Sequence, residues 1–400
     1  MENQPLALEV FKVDKESQKP LEKVPFKLLN TEGEALHFTL GDDGRYRISR
    51  EGADTFLTDA EGKATILYVP QGVLSLVEQP YAGYGVAAPV SVTISDENIV
   101  TLPKIVTVEN EPLAVEIYKQ DAYTKQPMAA SFTLLDSAGK AVKLARMSDG
   151  TYRPADKAPA TATDSADAAS LTTVETVDKL TLDGKTGKAR IEYLPQGKYQ
   201  LKEDAVSGYI TLTGIEFELT SEHTKAQPLQ FTVSNIPTRF LLEKQDGVTK
   251  QPLKGAKFKL TDEKGNVIKL VKQEDGTYQP AKQGETGVEV LELSGDKAQA
   301  VICYLPAGKV TVTEVEGPSG YSIAAPITTE VGTEVVLHTA LAAQAEDMKK
   351  HTIAETSLAV IDLPLALKIS KVHSKTQKPL AGAGFAIKAE GALSTPLRFT

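Results

Sequence analysis

Lysine stands in this sequence where a buried apolar side chain is expected. Side chains two residues apart on a β-strand share one face. In "VEIYKQD" (115–121), Val115, Ile117 and Lys119 therefore share the face that the apolar residues mark as buried. The same phase recurs in three other stretches, so that the set comprises Lys12, Lys119, Lys244 and Lys371.

A glutamate and an amide or acid occupy the same apolar phase further along the chain. The stretches "VLSLVEQP", "KYQLKEDA" and "KVTVTEVE" each place a glutamate in phase with apolar residues, giving Glu78, Glu203 and Glu314. The stretches "IVTVENEP", "FTVSNIP" and "SLAVIDLP" do the same with Asn110, Asn235 and Asp362. In each of three copies, a lysine, a glutamate and an amide or acid are therefore predicted to point into the core of that copy.

Two kinds of chemistry suit these trios. A lone buried charge is costly, so a salt bridge between lysine and glutamate, with the amide hydrogen-bonded nearby, is one solution. A covalent bond between the lysine amine and the side-chain carbonyl is the other. Burial favours the neutral forms of lysine and glutamate, which supplies a nucleophile and a proton donor. The residues alone leave both solutions open.

The trios belong to a repeat that is the size of a domain. The four lysines are 107, 125 and 127 residues apart, which indicates tandem domains. We expect domain 1 at residues 6–113, domain 2 at 114–238 with an insertion at 154–173, and domain 3 at 239–364. Residues 365–400 are expected to begin a fourth domain.

Each full copy follows one order of short strands and turns. Asp-Gly pairs in "DDGRY", "SDGTY" and "EDGTY" are strong hairpin signals, and alternating apolar runs flank them. A calcium loop is the alternative interpretation of these acidic turns, but they lack oxygen ligands at alternating positions. The pattern predicts an all-β chain of tandem Ig-like β-sandwich domains.

Two further stretches carry a family pattern. "EKQDGVTKQPLKGAKFKL" (243–260) is similar to the opening "K-x-D…TG-x-PL-x-GA-x-F-x-L", and "YLPQGKYQLKEDAVSGY" (193–209) to "L-x-x-G-x-Y-x-L-x-E…AP-x-GY". The copies therefore resemble the SpaA-type (Cna B-type, prealbumin-like) domains of Gram-positive surface proteins and pilins. Nearly the whole chain is covered. The "TG" of the opening is replaced in every copy, for example by Lys250-Gln251, and "AP" before Gly-Tyr is missing.

The resemblance implies a role for each member of the trios. The bond-forming lysines would be Lys12, Lys119 and Lys244, and the catalytic glutamates would be Glu78, Glu203 and Glu314. Their partners would be Asn110, Asn235 and, as the less common acid variant, Asp362. Lys371 matches the lysine of the fourth copy. The implied protein is a structural stalk with self-made Lys–Asn/Asp isopeptide bonds, located outside the cell and attached to the cell wall.

A binding module is the alternative function. Its loops, above all 154–173, would grip a host matrix protein or a glycan, and other surface or pilus subunits are further candidate partners. The polar stretch 340–355 is expected to be a short helix or a connection. The five histidines fit no triad or metal spacing, so we expect neither a turnover enzyme nor a cofactor or metal.

The bulk properties set outer limits. The net charge of −9 gives no reason to expect nucleic acid as a partner. No apolar run reaches the roughly 20 residues of a membrane span. "MENQPLALEV" shows no signal-peptide pattern, which suits a cytosolic protein or a mature fragment. The single cysteine, Cys303, is expected to pack as a small apolar residue rather than to react.

Overall fold

The computed structural model of the chain describes residues 4–157, 175–210, 212–332, 335–336 and 354–387. These residues form thirty β-strands and one 3-10 turn at Ala155–Lys157. The prediction of an all-β chain is confirmed. No helix among the described residues is long and apolar enough to cross a membrane.

Domain 1 is a sandwich of two sheets. Its strands are β1 (Ala7–Asp14), β2 (Pro25–Leu29), β3 (Phe38–Leu40), β4 (Tyr46–Ile48), β5 (Phe56–Leu57), β6 (Lys63–Leu67), β7 (Gly72–Glu78), β8 (Val90–Ile94) and β9 (Lys104–Asn110). One sheet has the order β3-β4-β6-β1-β9, and the other has the order β5-β2-β7-β8.

Domain 2 repeats this plan with additional strands. It contains β10 (Ala114–Asp121), β11 (Ala130–Leu135), β12 (Leu144–Arg146), β13 (Tyr152–Pro154), β14 (Glu175–Val177), β15 (Leu180–Leu182), β16 (Lys188–Glu192), β17 (Gly197–Glu203), β18 (Leu212–Thr213), β19 (Ile215–Leu219) and β20 (Leu229–Asn235). The two sheets are β14-β12-β13-β16-β10-β20 and β15-β11-β17-β19.

Domain 3 has the same two layers. Its strands are β21 (Thr238–Asp246), β22 (Ala256–Thr261), β23 (Leu270–Lys272), β24 (Tyr278–Pro280), β25 (Leu291–Leu293), β26 (Gln299–Cys303), β27 (Gly308–Glu316), β28 (Ile327–Val331), β29 (Val335–Val336) and β30 (Ala354–Asp362). The sheets are β23-β24-β26-β21-β30 and β25-β22-β27-β28. Strands β18 and β29 also pair with each other, in parallel.

The alternating apolar residues of these strands build a separate core in each domain. Strand β1 shows the alternation, because every second residue from Leu8 onward is fully buried. Phe26, Phe132 and Phe258 are buried at equivalent points of the three cores. Each such side chain contributes about 2–3 kcal/mol through the apolar surface that it removes from water.

The first and last strands of each domain are neighbours and run parallel. Strand β1 pairs with β9, β10 with β20, and β21 with β30, and in each case the first strand also pairs with an antiparallel strand on its other side. The chain therefore enters a domain at one end of this strand pair and leaves it at the other end.

The described part of the fourth copy forms no sheet. Residues 363–386 are all exposed, and no strand lies among them. The strand expected through Leu367, Ile369 and Lys371 is therefore not formed here, because no described strand pairs with it or covers its apolar face. The turn after it does form, with the His373 amide donating to the Lys378 carbonyl at 2.9 Å.

Candidate cross-link sites

The parallel strand pairs bring the lysine and its amide or acid partner together. In domain 1, Lys12 lies opposite Val108, and Asp14 lies opposite Asn110. Lys12 and Asn110 are thus diagonal neighbours on one face of the sheet, directed into the core. The registers of domains 2 and 3 are the same, with Lys119 diagonal to Asn235 and Lys244 diagonal to Asp362.

The glutamate of each trio comes from the opposite sheet. In domain 1, Glu78 ends β7 and faces Lys12 across the sandwich. The Lys12 amine donates to Glu78 Oε2 at 3.1 Å and directly to Asn110 Oδ1. The amide nitrogen of Asn110 in turn donates to Glu78 Oε1. All three residues are at most 4% exposed, so the closed triangle of contacts is shielded from water.

Domain 2 contains the same triangle. The Lys119 amine lies 2.7 Å from Glu203 Oε1 and contacts Asn235 Oδ1 directly. The Asn235 amide donates to Glu203 Oε1 at 3.0 Å. All three residues are buried. The structure therefore brings together all the predicted residues of this trio.

Domain 3 differs because an acid replaces the amide. The Lys244 amine lies 3.0 Å from Glu314 Oε2 and contacts Asp362 Oδ1 directly. Glu314 Oε1 and Asp362 Oδ2 are buried and have no hydrogen-bond donor among the described residues. Two carboxylates around one amine carry an excess negative charge in a closed core. A proton on one of the carboxyl groups removes that excess.

Burial and neighbouring charges both shift the pKa values of the ionisable groups in the three sites. Burial lowers the pKa of Lys12 from 10.5 to about 8, although Glu78 beside it raises the value. The pKa of Lys119 is lowered to about 8 for the same reason, with Glu203 opposing. Burial raises the pKa of Glu314, and the charge of Asp362 adds to the increase. At neutral pH a neutral amine is therefore accessible in domains 1 and 2.

A phenylalanine lies beside each lysine and was not predicted as part of the site. The amines of Lys12, Lys119 and Lys244 lie 6.0, 5.6 and 5.9 Å from the ring centres of Phe26, Phe132 and Phe258, respectively. Each ring excludes water from the amine and stabilises its cationic form only modestly. The signal was available in the sequence, because each phenylalanine ends the "PF", "SF" or "KF" pair of the second strand.

An aspartate two residues after each lysine was also missed. Asp14 Oδ1 accepts from the amides of Glu16 and Ser17, and its Oδ2 accepts from the Tyr84 hydroxyl at 2.9 Å. Burial alone would raise the pKa of Asp14, but these hydrogen bonds outweigh it and lower the pKa. Asp121 and Asp246 have equivalent contacts with Tyr209 and Tyr321. The aspartates hold the turn beyond the lysine against the Gly-Tyr turn.

Other candidate positions do not join a site. Lys371 is exposed, and no trio forms around it among the described residues. Of the insertion 154–173, only residues 154–157 are described, and of the stretch 340–355 only 354 and 355; the loop and helix predictions otherwise lie outside the described residues. Within the part of the chain that is described, no group of His, Cys, Asp and Glu side chains could hold a metal ion.

The sequence of the chain matches the model of a known family. The family model described as "SpaA: Prealbumin-like fold domain" matches residues 7–110, 114–232 and 238–341, which is well over half of the 400 residues. The match confirms the predicted fold class, tandem prealbumin-like β-sandwich domains, and the resemblance on which it was based. No curated protein matches the chain.

Several solved structures are also similar to the chain. The Bacillus anthracis TIE protein is 18% identical with a TM-score of 0.35, and the match covers 90% of this chain and 51% of that one, so the chain spans about half of its length. A Streptococcal ancillary pilin is 16% identical with a TM-score of 0.30, covering 90% and 99% of the two chains. The shaft pilin spaA from Lactobacillus rhamnosus GG is 15% identical with a TM-score of 0.27, covering 64% and 99%. The family assignment rests on the family model alone.

Proposed function

Because the chain belongs to the SpaA family of prealbumin-like fold domains, we propose that it is a structural stalk segment of a Gram-positive surface protein of the adhesin or pilin-like type. In this proposal each domain is locked by an isopeptide bond that it makes within itself. The bonds join Lys12 to Asn110, Lys119 to Asn235, and Lys244 to Asp362. Each bond forms once, and the protein turns over no substrate.

One observation carries the proposal. In three domains a buried lysine amine directly contacts the side-chain carbonyl oxygen of the last strand, and a buried glutamate reaches the same amine. A structural salt bridge would need only the lysine and the glutamate. The third partner, held in register by a parallel strand in every domain, supplies the carbon that a nucleophile could attack.

The reaction in domain 2 can be written with its atoms balanced. The neutral Lys119 amine attacks Cγ of Asn235, so that a new C–N bond forms and the bond from Cγ to Nδ2 breaks. Glu203, in contact with both nitrogens, takes a proton from the amine and delivers it to Nδ2, which leaves as ammonia. In domain 3 the Lys244 amine attacks Cγ of Asp362, a C–N bond forms, the bond from Cγ to one carboxyl oxygen breaks, and that oxygen leaves as water.

Folding supplies most of what the reaction needs. Proximity and orientation of the reacting groups can lower a barrier by on the order of 7–11 kcal/mol. The core also excludes water, which strengthens each electrostatic contact with the polarised carbonyl. The single glutamate of each trio then has only to move protons over hydrogen-bond distances. No cofactor or metal is required in this scheme.

The setting of the protein is part of the proposal. A domain cross-linked from its first to its last strand resists pulling and proteolysis, which suits an extracellular position at the cell wall. Other surface or pilus subunits are the partners that such a stalk would meet. This assignment draws on the family and on the three trios together.

Intact-mass spectrometry of the denatured chain tests the proposal. We expect a mass below that of the sequence by two ammonia molecules and one water. The variant Glu203→Ala should regain one ammonia and keep the other two losses, because each trio acts within its own core. Glu218→Ala, which changes an exposed glutamate of the same domain, is the matched control and should keep all three losses.

The same spectrum separates the alternatives. An unmodified mass in the wild-type chain would exclude the covalent bonds and leave buried salt bridges. Tandem mass spectrometry of a protease digest should locate each bond in a branched peptide that contains the expected lysine and its partner. A branched peptide joined at any other pair of residues would contradict the assignment.

A further inference from the structure

Both junctions between the domains use the same contact between a tyrosine and an aspartate. At the first junction, Tyr193 of domain 2 donates to Asp14 Oδ2 of domain 1 at 3.2 Å, and Tyr84 of domain 1 donates to the same oxygen. The rings of Tyr84 and Tyr193 meet edge to face with their centres 5.5 Å apart. Two phenols from neighbouring domains thus share one buried carboxylate oxygen.

The second junction reproduces this geometry. Tyr304 of domain 3 donates to Asp121 Oδ2 at 3.1 Å, and Tyr209 donates to it at 2.8 Å. The ring centres of Tyr209 and Tyr304 are again 5.5 Å apart, edge to face. The repetition at two junctions with different surrounding residues indicates a defined joint rather than a chance contact.

A glycine makes the joint possible. A Cβ on Gly83 would stand 2.7 Å from the carbonyl oxygen of Tyr193, and a Cβ on Gly208 would stand 2.8 Å from that of Tyr304. Both distances are too short for any side chain. The glycine of the Gly-Tyr turn therefore lets the backbone of the next domain approach. We call the aspartate, glycine and tyrosine together the domain end.

Domain 1 carries the receiving half of such a joint, and no other described residues form a domain end against it. Tyr68 is the equivalent of Tyr193 and Tyr304, and all three adopt positive φ angles of 61°, 60° and 59°. Yet Tyr68 is 60% exposed, whereas Tyr193 is 8% exposed. A left-handed conformation is unfavourable for a bulky residue. Tyr68 nevertheless has the same backbone conformation as the two docked tyrosines. Domain 1 therefore presents the geometry of a joint on a side where no other domain is described.

We propose that the surface around Tyr68 binds the domain end of another domain of the same family. The occupant would present a buried aspartate, the glycine and the phenol of a Gly-Tyr turn, since these are what the equivalent surfaces of domains 2 and 3 contact in this chain. The contact is head-to-tail, so one such partner exposes its own Tyr68 equivalent at its far end. This proposal does not depend on the cross-links.

The chain itself supplies a probe for this surface. Residues 4–112 contain every buried residue of the first core except Tyr193, and removal of domain 2 takes Tyr193 away and uncovers the Asp14, Gly83 and Tyr84 end. The isotope-labelled segment, carrying Tyr68→Ala so that it cannot bind itself, is titrated with the 400-residue chain and followed by NMR. We expect a concentration-dependent shift of amide signals confined to this end.

Two variants and a control decide the result. Tyr68→Ala in the full chain should weaken binding at least tenfold, and Gly83→Asn in the probe should do the same, because its Cβ meets the backbone only after docking. Asn tolerates a positive φ, and the dispersion of the NMR spectrum of this variant probe checks that it is folded. Tyr123→Ala, at an exposed tyrosine elsewhere, should change nothing. Binding that is absent, or that survives Tyr68→Ala, would overturn the proposal.

Discussion

Burial and a neighbouring charge have opposite effects on the pKa of the Lys119 amine. Burial disfavours its charged form, whereas Glu203 beside it favours that form, and the resulting pKa is about 8. A lysine with this pKa is a cation through most of the physiological range but supplies a useful fraction of neutral nucleophile. Reactivity in this position therefore depends on pH.

The rate of cross-linking should rise with pH. Chain recovered in denaturant without cross-links is refolded at a series of pH values from 6 to 9, and the loss of ammonia is followed by mass. Below a pKa of about 8 the neutral fraction of Lys12 and Lys119 grows about tenfold per pH unit. We expect the rate to follow that growth and to level off above the pKa. A rate that is constant from pH 6 to 8 would contradict the neutral-amine mechanism.

The acid in domain 3 can be exchanged for the amide of the other two domains. Asp362→Asn should leave the contact with Lys244 in place and remove the second buried carboxyl group, which is one cause of the raised pKa of Glu314. We expect the third bond still to form, with ammonia lost in place of water. Intact mass distinguishes these products. If the variant shows only the two losses from domains 1 and 2, formation of the third bond requires the acid at position 362.

At the scale of the elements, the turn after each first strand contains a strained residue. Gln18, Lys125, Lys250 and Gln377 adopt positive φ angles between 54° and 62°. In the family's "TG-x-PL" pattern the glycine lies two residues before the proline, which is where these four residues stand. The pairing of "TG" with Lys250-Gln251 was therefore wrong by one residue. The turn is kept without glycine because the preceding aspartate, Asp246 in domain 3, accepts the amides of Val248 and Thr249 and fixes the backbone.

Glycine at this position should stabilise the turn. Lys250 has a φ of 62° and an exposed side chain, so Lys250→Gly relieves the steric cost of the left-handed conformation. That cost is about 1–2 kcal/mol and is partly offset by the backbone entropy of glycine, which leaves a gain of about 0.5 kcal/mol. Calorimetry should show a higher transition temperature for domain 3. Gln251→Gly, next to it at an ordinary φ, should lower that temperature.

The alternation of apolar and polar residues along the strands explains why so much of the structure could be predicted from the sequence. A period of two identified the strands, and polar residues in the buried phase identified the three trios, because both signals lie within short stretches. Asp14 was missed as a joint residue because one of its partners, Tyr193, is 179 residues away. No local pattern reports such a contact. Phe26 was missed because a core phenylalanine is ordinary until an amine is found beside it.

At the scale of the whole molecule, the proposed bond joins the same positions of the first and last strands in all three domains. In domain 1, Lys12 and Asn110 lie near the C-terminal ends of β1 and β9, on the side where the chain leaves the domain. Tension that enters at the start of β1 would pass along that strand, through the bond and out toward Leu113. The residues between Lys12 and Asn110 would lie outside this path.

Single-molecule pulling should therefore distinguish the bonded chain from an unbonded one. The wild-type chain should show no unfolding event from its three domains. In Glu203→Ala, domain 2 should unfold and release the segment between Lys119 and Asn235, which are 116 positions apart. At about 3.5 Å per residue this adds about 400 Å of length. Glu222→Ala, at an exposed glutamate, should behave as the wild type; unfolding events of domain length in the wild type would refute the load path.

The parallel pairing of first and last strands also bears on how such a chain can change over time. If the residues outside the short load path carry no tension, their loops can lengthen, shorten or exchange sequence without altering the reach of the molecule. The insertion that distinguishes domain 2 from its neighbours, around residues 154–173, falls between Lys119 and Asn235 in sequence and therefore outside the proposed load path. Variation visible to antibodies or to binding partners is then separated from mechanical performance, and selection can act on the two independently.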